Sequence, residues 1–363
     1  MRKRVLSVLV CGFLWAGLVF AAADSAALQA AAAKLPATFQ NRPLVFIPLV
    51  TAAPKELKGD LSDPAWAKGA KLDFVVNFSG NPAQFKSEAR VFCTADALYV
   101  GVKFADPDPD NLATAAPEIW ERDSFEVFLF PGEDPRGKLY YQTIIDANNR
   151  EVTTYSHLYP RRKLAGLKGE WKPRLRHAVK ANHDGWTGEL RIPFSELKLP
   201  PEVLEKKSLW RLDLFRTRPW RNNAPMECSS WSPTLNEYNH TAPRFGYALL
   251  APFATAELLD SVTARAAAQQ AAPTAPPSAA QAKEIAAQIE ALGSEAYQLR
   301  HGAAVRLEEM MADRNAAAYL EQVLAKTSKD SPDTETRLRA HRLMLRARQM
   351  LSPDEDVPPP NLR

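Results

Sequence analysis

Between residues 59 and 250 the chain is built from short apolar runs of period two, each cut off by Asp, Asn, Gly or Pro. Alternation at that period sends successive side chains to opposite faces, so such runs are half-buried strands and not helices. Ser87 to Thr94, then Leu98 to Phe104 around Ala95-Asp96, read as one hairpin. Lys138 to Ile145 and Glu151 to His157 read as a second around Asn148-Asn149, and Arg174 to Lys180 with Trp186 to Ile192 as a third around His183-Asp184-Gly185. Asp123 to Phe130, Ser208 to Arg216 and Phe245 to Leu250 add further strands, while Leu44 to Val50 is demoted by Pro43 and Pro48 to an edge or irregular lead-in. No helix recurs between strands as a βαβ fold requires. The expected fold is an all-β antiparallel sandwich.

The ends differ in texture. Arg2 to Arg4, the apolar run Val5 to Phe20 and Ala21-Ala22-Ala23 form a signal-peptide pattern over residues 1–23, so export to periplasm, cell surface or medium is expected. Residues 24–56 form a lead-in. Beyond residue 250, Ala254 to Gln270 is helix-permissive and Ala271 to Pro277 is a proline-marked linker, together residues 251–277. Residues 278–352 recur at helical spacing, with Gly293 weakening the middle, and suggest a helical hairpin or coiled coil. Residues 353–363 read as a disordered tail. A tail of this kind suits a protein partner or self-association. The formal charge of +4 falls to +1 once Arg2, Lys3 and Arg4 are subtracted, which leaves no field to recruit nucleic acid.

Six segments carry a resemblance. They are Gly59 to Trp66, Ala95 to Val102, Asp123 to Pro131, Gly185 to Phe194, Trp231-Ser232-Pro233 and Pro243-Arg244-Phe245-Gly246. In this order they resemble family 9 carbohydrate-binding modules and their DOMON-like relatives, over residues 57–250. The resemblance implies a non-catalytic domain that binds an oligo- or polysaccharide. It also implies a sugar-contacting tryptophan just before the central strand and a glutamate within it, which Trp120 and Glu126 match. A second tryptophan is expected from the loop after the Ser208 strand, where Trp220 and Trp231 both stand. Asn222 beside Trp220, and Arg150 in the Asn148-Asn149 loop, are candidate polar contacts. Trp66, Trp186 and Trp210 read as core residues, with Trp66 dropping onto the sandwich core.

Relatives carry structural calcium, which takes six to eight oxygen ligands. Asp106, Asp108 and Asp60 are the candidate ligands here, in two acidic turns; no organic cofactor is expected. Cys93 and Cys228 can form one disulfide in an oxidising compartment or remain free thiols. Some DOMON-like relatives hold b-type haem, for which His157, His177, His183, His240 and Met226 are the available residues. A third reading is a structural or assembly role, with the fold as scaffold and the helical tail as interaction element. No paired-carboxylate cleft, nucleophile elbow or phosphate loop is apparent, which argues against an enzyme. A slot that trades water for each sugar contact gains only ~0.5–1.5 kcal/mol per hydrogen bond, so weak binding is expected.

Overall fold

A computed structural model describes residues 26–40, 42–135, 138–157, 171–221, 224–235, 239–270 and 276–351. The signal-peptide segment, Asn222 and the whole 353–363 tail therefore lie outside the described residues.

Two sheets face each other. The small one is β3 (Ala70–Asp73), β5 (Ser87–Cys93), β6 (Ala97–Ala105), β10 (Arg176–Asn182) and β11 (Gly185–Pro193), in the order β10-β11-β6-β5-β3. The large one follows the order β1-β2-β14-β12-β7-β8-β9. Its strands are β1 (Thr38–Phe39), β2 (Arg42–Ile47), β7 (Ser124–Phe130), β8 (Leu139–Asp146), β9 (Glu151–His157), β12 (Trp210–Arg218) and β14 (Gly246–Leu250). Two short strands, β13 (Glu227–Ser230) on β12 and β4 (Val75–Val76) on β13, extend it. Pairing is antiparallel except between β14 and β2. The hairpins read from the sequence form as expected, and Asn149 takes the left-handed φ of 61° that asparagine tolerates in turns. The lead-in strand does not lie at an edge: β2 is paired on both sides, and past Ile47 the chain crosses to the small sheet, where Cys93 N–H donates to the Pro48 carbonyl and Val50 N–H to the Cys93 carbonyl.

Phe125, Val127 and Leu129 of β7 and Trp210, Leu212 and Leu214 of β12 face Leu98, Val100 and Val102 of β6 across the main core. Trp186 and Trp210 belong to that core. Trp66 is buried too, but outside it. Its ring packs on the far face of the small sheet against Phe92 and Tyr99. Gly101 makes the approach feasible, since a Cβ there would stand 2.8 Å from the indole. The expectation that Trp66 fills the sandwich core is corrected accordingly.

The outer face of the large sheet is also covered. Phe128, Phe130, Tyr140 and Phe215 point away from the main core and pack with Ala242 and Phe245. A helix over residues 26–32 (α1) and α3 (Ala256–Gln270) cover the β1-β2-β14 side through Leu259, Val262 and Ala266. Between β11 and β12 lie a 3-10 turn (Phe194–Glu196) and the single turn α2 (Pro201–Leu204).

The C-terminal helices are α4 (Ala279–Ala291), α5 (Tyr297–Met310), α6 (Arg314–Asp330) and α7 (Thr334–Leu351). A capping box between Ser278 and Gln281 starts α4, and the chain breaks at Gly293 before α5. Ile285, Leu307, Leu320, Leu324 and Leu343 give this unit its own core. It also docks on the sandwich. Arg244 donates from Nη1 to Glu308 on α5 at 2.8 Å, with both side chains nearly buried, and from Nε and Nη2 to the Pro233 carbonyl. The tail is thus a packed bundle and not an extended coiled coil.

Candidate functional site

The strand register brings three chain segments to one end of the large sheet. Ser124, at the start of β7, stands opposite Asp146 at the end of β8 and Thr217 near the end of β12. The segment before β7 carries Trp120, the segment after β8 carries Arg150, and the segment after β12 carries Trp220. These candidates, scattered over a hundred positions, therefore share one rim.

Trp120 lies on the turn Ile119–Glu121, anchored by buried Ile119, and its own ring is 50% exposed. Arg122 pins the approach to it, donating to the carbonyls of Ala116 at 2.7 Å and Pro117 at 3.1 Å and to Asp146 at 2.9 Å. Arg150 is half-exposed, pairs with Asp146 at 3.3 Å and donates to the Thr114 carbonyl at 2.8 Å. It too holds the loop that leads to Trp120. Trp220 is 66% exposed, and Met226, six residues further on, is also exposed.

Trp231 differs. It is buried, its ring lies against Gly246, where a Cβ would stand 2.5 Å away, and its backbone N–H donates to the Leu214 carbonyl. That side chain belongs to the core, so of the two tryptophans after β12 only Trp220 offers a face to solvent. Glu126 is on the outer face of β7 but is buried. One oxygen accepts from Gln142 Nε2 at 2.7 Å and the other from Asn239 Nδ2 at 3.0 Å. Burial pushes its pKa up, only partly offset by those two donors. Both oxygens are committed, and the expected open sugar contact is not present there.

The acidic turns do not fit a calcium ion. Asp106 is fully buried and its carboxylate meets Arg216 at 3.2 Å, Arg218 at 3.1 Å, and Arg221. Burial alone would raise its pKa, but the Asp108 N–H and the Arg221 guanidinium outweigh it, and the net shift is downward. Three guanidinium groups on one carboxylate repel a divalent cation. Asp108 accepts from Asn111 at 2.7 Å, and its backbone N–H donates to Asp106 at 3.0 Å. The Ser62 hydroxyl and N–H, and after them Lys180 at 3.2 Å, bind the Asp60 carboxylate and hold its pKa at about 2. Among the described residues no three His, Cys, Asp or Glu side chains are grouped to hold a metal. At Asp106, Asp108 and Asp60, the residues expected as calcium ligands, ion pairs and turn hydrogen bonds employ the carboxylates.

Cys93 and Cys228 are free thiols on opposite sheets, so no disulfide joins them. Burial raises both thiol pKa values, Cys228 to about 11. The histidines are not arranged for haem. His177 meets Asn149 and Glu151, His183 is on an exposed turn, and His240 packs on Phe128 and meets Tyr140 Oη at 2.9 Å. The His157 side chain lies outside the described residues.

Sequence reasoning missed the pair formed by Arg221 and Asp123. A signal was present. Arg216 and Arg218 continue the inward face of Trp210, Leu212 and Leu214, and arginine on a core face demands a buried acid.

A family described as "Carbohydrate family 9 binding domain-like" matches residues 57–251, more than half of the chain, and the protein belongs to that family. This is a class of non-catalytic binding modules. Among solved structures, a family 9 carbohydrate-binding module from Caldicellulosiruptor kristjanssonii in complex with cellotriose is 17% identical at a TM-score of 0.40, over 57% of this chain and 93% of that one. The same organism's family 9 module in complex with glucose is 18% identical at 0.39, over 57% and 95%. No curated protein matches the chain.

Proposed function

We propose that the domain binds carbohydrate without chemistry, at the rim that carries Trp120 and Trp220. The observation that supports this most is the exposure of both indoles at one end of a sandwich whose other tryptophans, where described, are buried. A pyranose presents axial C–H groups over a flat area, and an indole face covers such a patch while hydroxyls stay wet. Arg150 and Asn222 are the polar groups we assign to hydroxyl contact. Glu126 acts from below, as a buried brace for β8 and the Asn239 loop. The ligand class is an oligo- or polysaccharide met outside the cytoplasm, in keeping with the N-terminal segment. Calcium has no part in this reading.

Titration with cellotriose and glucose, followed by a wider glycan panel, tests it. The parent is expected to bind weakly, about micromolar or poorer. Trp120→Ala and Trp220→Ala should each weaken binding about tenfold or more, because an apolar face worth ~1.5–3 kcal/mol is removed. Trp231→Ala should lower stability and leave the affinity of the folded fraction in place. Silence of the parent towards all soluble and insoluble glycans sinks the proposal.

A further inference from the structure

The two exposed indoles belong to separate segments, and each segment contributes one half of a single salt bridge. Asp123 lies three residues after Trp120. Its backbone N–H donates to the Ala113 carbonyl at 2.8 Å, and its Oδ2 accepts from the Ala113 N–H at 2.7 Å. It is therefore fixed to the same loop that Arg122 and Arg150 hold. Arg221 directly follows Trp220 and bridges back to Ala224. Its guanidinium spreads over two carboxylates, Nη1 to Asp123 and Nη2 to Asp106. The Arg221 side chain is 8% exposed and both acids are fully buried.

We infer that Arg221, forked between Asp123 and Asp106, is a positioning residue that fixes the spacing of Trp120 and Trp220. This rests on the sugar reading proposed above. Among the described residues no strand pairing holds the Trp220 segment to the Trp120 turn beyond Ser124 and Thr217. Past that rung the charge-assisted fork takes over, and a planar guanidinium satisfies two carboxylates at once where an ammonium is a point charge. Arg216 and Arg218, behind it, hold Asp106 in place. An aromatic clamp set in advance does not spend binding energy on ordering its loops.

The test uses the full chain, with Arg221→Ala and the charge-keeping Arg221→Lys, the second guarding against a misfolded first. Amide hydrogen exchange is followed in residues 113–122 and 219–226 beside β7 and β12, and cellotriose affinity is measured in parallel. Faster exchange is expected in both segments with the two strands unchanged, and affinity falls about tenfold in both variants. In a Trp220→Ala background the Arg221 changes should cost no further affinity, which a general loss of stability would not reproduce. Parent-like exchange in both segments overturns the inference. So does unchanged affinity in Arg221→Ala, and that result leaves the sugar reading standing. If the parent ignores cellotriose, affinity is read with whichever glycan of the panel it binds; if it ignores every glycan, the sugar reading fails and exchange alone decides. Acceleration in both segments then supports the fork, and its absence rejects it.

Discussion

Two groups of buried arginines hold this molecule together, and they are built differently. At the rim, Arg216, Arg218 and Arg221 share Asp106 and Asp123, so several charge-assisted bonds converge and no single one stands alone. At the contact between sandwich and helices, Arg244 has one carboxylate, Glu308, and spends its other N–H groups on the Pro233 carbonyl. Its neighbours Arg42 and Arg211 both donate to the Pro243 carbonyl. Burial lowers the pKa of Arg244, and Glu308 opposes that shift. The rim is a distributed network beneath an open surface, whereas the interface depends on one acid in a closed one. A buried pair adds little over an apolar substitute, but breaking it strands a charge.

The largest effect should come from the interface. Glu308→Ala leaves Arg244 buried without its carboxylate, and about 3–5 kcal/mol should be lost. Urea unfolding should then separate into two transitions, with α4 to α7 leaving first. A single transition shifted by less than about 1 kcal/mol would contradict the dependence on one acid. Asp106→Asn should cost less, about 1.5–3 kcal/mol, since Asp123 remains to share the guanidinium charge. If Asp106→Asn proves the more damaging of the two, the contrast between the clusters is wrong.

The sandwich was legible because period-two alternation survives in nearly every strand. What alternation hides is which outer faces are covered. Lys103 follows the pattern and is exposed, yet Tyr99 on the same face is buried under Trp66, and Glu126 is buried under the loop from Trp231 to Phe245. The aromatic half of the site was readable, since Trp120 stands in a proline-marked loop with no strand to bury it. The choice between Trp220 and Trp231 was not, because it turns on the space beside Gly246, a contact between distant segments. The acidic turn at Asp106 misled for a similar reason: its guanidinium partners come from β12, more than a hundred residues away. The helical tail had the right elements, but polar composition alone concealed that α5 brings Glu308 to Arg244.

Acidity offers a smaller and reversible way to separate the network from the rest. The pKa of Asp106 is held below its ordinary 3.8, so its contribution is present above that value and is lost as pH falls through the lowered one. Glu126 has the opposite sign. Burial raises it above 4.5, so the folded state binds more protons than the unfolded one, and stability should decline as pH rises from 4.5 towards neutrality. Asp213, buried and raised for the same reason, adds to that decline. The urea midpoint should therefore peak on the acid side of neutral. Asp106→Asn should flatten the limb below 3.8 and Glu126→Gln the limb above 4.5. A Glu126→Gln profile parallel to the parent would show that Glu126 does not titrate against burial.

The smallest expected effects are those of chelator and reductant, and they bear directly on what replaces a metal at the rim. Calcium stabilises a fold by linkage, so removing it from a real site lowers the melting temperature in proportion to the free energy of binding. Here the oxygen atoms that such an ion needs are already bound to cations that belong to the chain, and Arg221, Arg218 and Arg216 cannot be dialysed away. EDTA should leave the melting temperature within about 1 °C, and added calcium should not raise it. Reductant should be equally silent, since Cys93 and Cys228 are thiols already. A drop of several degrees in EDTA, restored by calcium but not by magnesium, would mean that an ion works beside the arginines. The rim would then owe its order to metal coordination and not to the charge network.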